Sequence, residues 1–352
     1  MPRADVGGEP HHTPVDPGGE DQAMSRPAAK TVRLGPGGEF DLIRRFVERG
    51  GALPDEVRVG PGDDAAVLEG GWVVTADMSV EDVHFRRAWI SDEEIGYRAA
   101  AAALSDLAAM AATPVALLLS VAAPRGGSVD LDAVDAGVRA AGASVGAVII
   151  GGDISRSPGP LVLDVVALGR TQRPVQRVGA EPGDHVWVTG PLGASAAAVR
   201  TWNAGGQPSP ALRAAFAAPT PRVDAARCLV EHEVVGALID LSDGLAGDAG
   251  HLAAASGVMI TIEAARVPVS PVAIEAVGAD DALELALHGG EDYELCFIAD
   301  PGVVDPKYFA ERHGISLTRV GTVSAGSGVW LEGPDGDGRK LTRGGFDHWE
   351  GA

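Results

Sequence analysis

Six short segments place an acidic residue beside glycine or small apolar residues. They are Gly62-Asp63-Asp64, Thr75-Ala76-Asp77, Leu104-Ser105-Asp106, Gly151-Gly152-Asp153, Ile239-Asp240-Leu241-Ser242-Asp243-Gly244 and Gly289-Gly290-Glu291-Asp292. Some directly follow strand-like runs, such as Trp72-Val73-Val74 and Ala147-Val148-Ile149-Ile150. A carboxylate at a strand end next to glycine suits a cation and does not suit a core. Any one segment reads equally as a turn or a helix cap: Asp243-Gly244 could cap a helix, and Gly151-Gly152-Asp153 could form a tight turn. Six on one chain point to a site for several hard cations, and therefore for phosphates. Mg2+ prefers oxygen ligands and takes one or two carboxylates together with substrate phosphates.

The bulk properties narrow the chemistry. A chain of 352 residues with 45% hydrophobic content can form two globular domains. A net charge of −21 argues against nucleic acid or an anionic membrane as partner. There is no GxxxxGK[ST] loop, and none of Lys30, Lys307 and Lys340 follows a glycine-rich turn. That disfavours P-loop enzymes and protein kinases. No GxGxxG supports a dinucleotide site, and no HExxH or cysteine cluster suggests zinc. Cys228 and Cys296 lie far apart and read as small buried hydrophobes in a reducing cytoplasm. No apolar run reaches membrane-spanning length, and no signal-peptide pattern opens the chain. The expected location is cytoplasmic.

The elements that must position the acids follow from periodicity and breakers. Residues 1–34, including His11-His12, read as a disordered tail. A helix is expected at 40–48, ended by Gly50-Gly51, then strands at 65–68 and 72–76. A long helix at about 92–112 has Ser91 as N-cap and stops at Thr113-Pro114. Alanines at 99–103 let it pack closely, and Asp106 inside it is unusual among apolar Leu104, Leu107, Ala108 and Met110. A strand at 115–122, a helix at 131–143 and strands at 147–150 and 161–168 complete the first half. Residues 169–183 read as the domain junction. The second half is expected to hold strands at 185–189, 236–239, 258–262 and 293–299. Its helices are expected at 194–200, 222–231, 245–255 and 282–287, followed by a last helix-strand-strand segment. The alternation makes both halves α/β or α+β. The expected division is a tail at 1–34, an N-terminal ATP- and Mg-binding domain at 35–170 and a C-terminal α/β domain at 171–352.

These residues carry a resemblance. Gly60-Pro61-Gly62-Asp63-Asp64-Ala65-Ala66-Val67-Leu68, Asp77-Met78-Ser79-Val80-Glu81-Asp82-Val83-His84-Phe85 and Leu104-Ser105-Asp106-Leu107-Ala108-Ala109-Met110 match in order. Ile150-Gly151-Gly152-Asp153, Val188-Thr189-Gly190, Ile239-Asp240-Leu241-Ser242-Asp243-Gly244-Leu245 and Gly289-Gly290-Glu291-Asp292-Tyr293-Glu294-Leu295 follow. Over about residues 38–349 the chain resembles the thiamine-monophosphate kinase family, within the aminoimidazole ribonucleotide synthetase-like superfamily. The set is highly specific; the GDD and GGD pieces alone are not.

The resemblance implies a two-domain architecture whose N-terminal mixed sheet forms a barrel at a homodimer interface. It implies ATP-dependent phosphorylation of thiamine monophosphate to thiamine diphosphate, with several Mg2+ ions. The implied metal ligands are Asp64, Asp77, Asp106, Asp153, Asp240 and Asp243, helped by Thr75. ATP contacts would be Gly152, Asp153, Arg177 and Ser242, and substrate contacts His84, Glu291 and Phe346. Arg156 and Arg177 are candidates for phosphate contacts, with a solvated loop arginine as the alternative. His84, between Val83 and Phe85, could equally be a structural histidine, and Glu291 and Asp292 could simply be a turn. The chain departs from the family at Ala76, Asp82 and Ile154. The alternatives are another ATP-dependent synthetase of the superfamily, or a non-catalytic Mg-nucleotide-binding protein.

Overall fold

The computed structural model describes residues 30–35, 38–126, 129–333 and 335–341. Most of the 1–34 tail and Phe346 lie outside the described residues. The first half runs α1 (Gly38–Arg49), β1 (Val57–Val59), β2 (Ala66–Leu68), β3 (Trp72–Val80), α2 (Asp92–Ala109), β4 (Thr113–Pro124), α3 (Leu131–Ser144), β5 (Val148–Ser157) and β6 (Val162–Arg170). The second begins with β7 (His185–Thr189), α4 (Ala194–Asn203), α5 (Pro210–Ala217), α6 (Val223–Glu231), β8 (Ala237–Asp240) and α7 (Leu245–Ser256). It ends with β9 (Met259–Glu263), α8 (Pro271–Val277), α9 (Ala279–His288), β10 (Leu295–Ala299), α10 (Pro306–His313), β11 (Leu317–Ser324), β12 (Gly328–Glu332) and β13 (Gly338–Lys340).

Two mixed sheets result. The first has order β1-β2-β3-β6-β4-β5, and the second β13-β12-β9-β11-β7-β10-β8. Neither sheet closes on itself among the described residues: β1 and β5 are edges of the first, β13 and β8 of the second. No helix among the described residues is long and apolar enough to cross a membrane.

Helix α2 is the central beam. Ser91 accepts from the Glu94 N–H while the Glu94 carboxylate accepts from the Ser91 N–H, a reciprocal cap at its start. Thirteen of its residues are buried, so it has no polar face, unlike an ordinary surface helix. Alanines at 99–103 let one side meet the first sheet's core while Ala108 enters a core with α6 and Trp187 of the second. Residues of α4 and α5, such as Trp202 and Phe216, join the first core. The two halves are therefore packed through α2, and the groups that α2 carries sit between the two sheets.

The structure differs from expectation in extent. Helices α5 and α8 were not expected, although Ser209-Pro210 and Ser270-Pro271 place proline in their first turns. Strands β3 and β5 run through segments read as strand ends. Asp77 lies inside β3, whose ladder with β6 is unbroken from Trp72↔Arg170 to Val80↔Val162. Gly151-Gly152-Asp153 lies inside β5, paired with Leu118, Leu119 and Ser120, and is not a turn. A Cβ on Gly152, at φ 151°, would sit 1.8 Å from the Leu119 carbonyl oxygen. Glycine there keeps the ladder going instead of ending it.

Candidate active site

The acids converge where α2 passes between the sheets. Carboxylate oxygens of Asp64, Asp106 and Asp240 lie within 4.8 Å of one another. Asp64 comes from the loop before β2, Asp106 from the last turn of α2, and Asp240 from the end of β8. The Thr75 hydroxyl donates to Asp106 Oδ2 at 2.6 Å, and the Ser105 hydroxyl donates to Asp240 Oδ2 at 2.6 Å. Strand β3 thus orients Asp106, and its neighbour on α2, Ser105, orients Asp240 from the other half of the chain.

Arg177 grips Asp64 with two bonds, Nη2 to Oδ1 at 2.7 Å and Nε to Oδ2 at 3.1 Å. Burial works against its charge, but Asp64, its hydrogen bonds, Asp63 and Asp240 outweigh that and hold the guanidinium above its usual range. One arginine does not neutralise the whole cluster. Burial, then the Asp64 charge, pushes Asp63 up to about 7. Burial and Asp64 push Asp240 to about 7, and burial pushes Asp77 to about 6. Burial and the charges of Asp240, Asp77 and Asp64 raise Asp106 well above the carboxylate range. Burial and Asp243 do the same to Asp248. Asp63 Oδ2 is buried without a hydrogen-bond partner.

A cleft of about 1070 Å³ lies beside this cluster, with Asp77, Arg177 and Asp248 on its wall. Asp77, His84, Arg177, Ser242, Asp243 and Glu291 line it. His84 Nδ1 accepts from the Val80 N–H at 3.0 Å, which fixes the ring in its turn. Asp82 in that turn has φ 65°, the left-handed region where glycine fits most easily and aspartate is among the tolerated residues. The departure at Asp82 is therefore a mild backbone cost and not a missing ligand. Glu291 is ion-paired with Arg98 and has φ 66° in the Gly289-to-Tyr293 turn. Trp89 and Phe216 also line the cleft: Trp89 stacks on Trp202 at 5.0 Å, with Phe216 edge-on to both.

Gly152 and Asp153 are not brought to the cluster. Asp77 pairs with Val165, Val165 with Leu119, and Leu119 with Gly152. Three strand spacings put Gly152 about 14 Å from Asp77 along that row, too far to share an ion. Asp153 and Arg156 are exposed on edge strand β5. Phe346 lies outside the described residues.

Several site residues escaped the sequence reading. Asp63 was passed over in favour of its neighbour, and Asp248, which accepts from the Asp243 N–H at 3.2 Å, sits inside α7 without an obvious motif. Arg98 is 3% exposed, donates to the Phe216 carbonyl at 2.6 Å and lies over the Phe216 ring. Its signal was available: an arginine in an alanine-rich helix, eight residues before Asp106, lies on the same helical face.

Comparison with known proteins agrees with this geometry. The family models described as AIR synthase related protein, N-terminal domain and C-terminal domain, match residues 62–171 and 181–332. A thiamine-monophosphate kinase of Salmonella typhimurium is 34% identical over 300 residues, covering 82% of this chain and 91% of the relative. One from Methanopyrus kandleri is 36% identical, covering 87% and 95%. The solved structure of AaThiL complexed with AMPPCP and TMP superposes with a TM-score of 0.75 at 32% identity, covering 90% of this chain and 97% of that one. With both halves matched, relatives above 30% identical over most of the chain and three of its acids meeting between the sheets, this chain belongs to the thiamine-monophosphate kinase family.

Proposed function

We propose that this chain transfers the γ-phosphoryl group of ATP to the phosphate of thiamine monophosphate, the last step of thiamine diphosphate biosynthesis. The convergence of Asp64, Asp106 and Asp240, joined through Arg177 to a cleft that Asp77 and Asp243 also line, carries this reading, alongside the kinase relatives. Purified protein given ATP, Mg2+ and thiamine monophosphate is expected to form thiamine diphosphate. Folded protein that forms none overturns the reading, and ATP–Mg2+ binding without turnover favours a non-catalytic nucleotide-binding protein.

The residues fit Mg2+. The donors are all oxygens, burial and then the neighbouring Asp64 charge push Asp63 and Asp240 up to about 7, and a buried oxygen of Asp63 lacks a partner. Asp64, Asp77, Asp106, Asp240 and Asp243 would hold the ions, with Thr75 orienting Asp106. Bound there, the ions would offset phosphate charge and stabilise the charge that spreads during transfer. Roles for Gly152 and Asp153 require a ligand extended along the sheet, as a nucleotide is.

The protein's own part is positioning. The acceptor phosphate is mostly dianionic at neutral pH, since its second pKa is near 6, so no general base is needed. Two unit charges about 4 Å apart repel by roughly 4 kcal/mol at an effective dielectric near 20. Holding donor and acceptor in line against that repulsion is the task. Arg177 and Ser242 line the cleft and would contact the ATP phosphates, and Arg177 also holds Asp64 in place. Glu291 and His84 line the cleft and would face the cationic thiamine.

The carboxyls give a pH signature. Asp63, Asp77 and Asp240 bind protons more tightly folded than unfolded. Their stabilising contribution is present at and below about pH 4 and is lost as pH rises through 6–7. Metal needs the ionised form. Mg2+ is therefore expected to raise the melting temperature more at about pH 8 than at about pH 6. Scanning calorimetry with Mg2+ and with chelator checks this, and an equal rise at both pH values would contradict it.

A tail at 1–34, an N-terminal domain at 35–170 and a C-terminal domain at 171–352, in a cytoplasmic homodimer, complete the proposal. Supporting the dimer, edge strand β5 exposes Val148, Ile150 and Ile154 at 61%, 61% and 73%. An apolar edge of this kind invites a second copy, whose first sheet would complete a barrel. Ile154→Lys is expected to shift the protein from dimer to monomer in light scattering; a monomeric parent would remove the dimer from the proposal.

A further inference from the structure

Helices α6 and α10 of the second half carry a thiol and two imidazoles that phosphoryl transfer does not use. Cys228 lies in the last turn of α6, His232 follows as its C-cap, and His313 ends α10. One ligand atom from each lies within 4.8 Å of the other two. Cys228 is buried and both histidines are exposed, so an ion could enter from solvent.

We propose that Cys228, His232 and His313 form a second metal site, for a borderline-soft divalent cation such as Zn2+, that ties α6 to α10. Zn–S and Zn–N bonds near 2.3 and 2.05 Å in a tetrahedron place sulfur and nitrogen about 3.6 Å apart. Cys228 Sγ lies 3.7 Å from His232 Nδ1. Spacing of four on one helix face produces that proximity, and α10 delivers the third donor. The second nitrogen of His232 already has a partner, Nε2 being 3.1 Å from the Tyr308 hydroxyl. Such a bond on the far nitrogen orients metal-bound imidazoles.

In the metal-free chain Nδ1 lies 2.8 Å from the Cys228 carbonyl oxygen and donates its proton there. On ligation the imidazole takes the other tautomer, with Nε2–H donating to Tyr308, and the thiol releases its proton to solvent. The ring of His232 packs at 5.5 Å from Tyr308, 5.4 Å from Phe309 and 5.1 Å from His313, which limits its freedom before any ion arrives. Water would complete the fourth position. A set of sulfur and nitrogen donors disfavours Mg2+, so the two sites sort ions by ligand chemistry.

The test is Co2+ titration of the chelator-stripped full chain in excess Mg2+, which occupies the carboxylates. One equivalent is expected to give a thiolate-to-cobalt charge-transfer band that Zn2+ displaces. Cys228→Ser should abolish the band. His313→Ala, at an exposed position that does not endanger folding, should weaken Co2+ affinity by about tenfold or more and leave kinase turnover unchanged. Absence of the band, its survival in Cys228→Ser, or undiminished affinity in His313→Ala overturns the proposal.

Discussion

Asp106→Asn is expected to lower turnover by about a hundredfold or more while leaving the metal-free melting temperature unchanged or slightly higher. Asparagine has the same shape, and its carbonyl can still accept the Thr75 hydroxyl that now bonds Asp106 Oδ2 at 2.6 Å. Packing and hydrogen bonding are therefore preserved. What is lost is a negative charge that burial and the charges of Asp240, Asp77 and Asp64 already disfavour. Without metal that charge only destabilises. With metal it is a ligand, so the variant should lose much of the Mg2+-induced rise in melting temperature. Steady-state kinetics and calorimetry on the same preparation separate these effects. Turnover like the parent's would remove Asp106 from the site.

Gly137→Val is expected to destabilise the protein by about 3 kcal/mol or more and to reduce activity with it. Helices α2 and α3 cross so closely that a Cβ on Gly137 would sit 1.8 Å from the Glu93 carbonyl oxygen, and one on Gly96 2.0 Å from that of Val134. The obstacle is backbone on both sides, so no rotamer relieves it. Gly137→Ala gains up to about 1 kcal/mol of helix propensity, but overpacking costs typically 1–3 kcal/mol, and the clash should win. Because α2 carries Arg98, Ser105 and Asp106, separating the helices also displaces the site. Denaturant unfolding monitored by circular dichroism measures the loss, and parental stability in Gly137→Val would show that the contact relaxes cheaply.

Much of the fold was readable because its signals are local. Ser91 is the N-cap expected of it, with Glu94 adding a reciprocal bond that the sequence reading did not foresee, and alternation of strands with helices indicated two α/β halves. Errors arose where a partner strand overruled a local cue. Glycines that suggested a turn at Gly151-Gly152 instead permit β5 to lie close against β4. Helix α2 shows the converse limit. Its alanines announced close packing, but nothing in a one-dimensional pattern says that it is buried on every side and joins two sheets.

By itself, the sequence determined the class of chemistry. Acidic segments in a fixed order, together with the lack of a phosphate-binding lysine motif, dictate charge and donor type, which are properties of residues. Only the tertiary structure decided which acids act together. It drew Asp64, Asp106 and Asp240 to one point, added Asp63 and Asp248, left Asp153 on a distant edge, and set Arg177 against Asp64. Ionisation and metal affinity depend on separation and burial, and residues 64, 106 and 240 become neighbours only when α2 is clamped between two sheets.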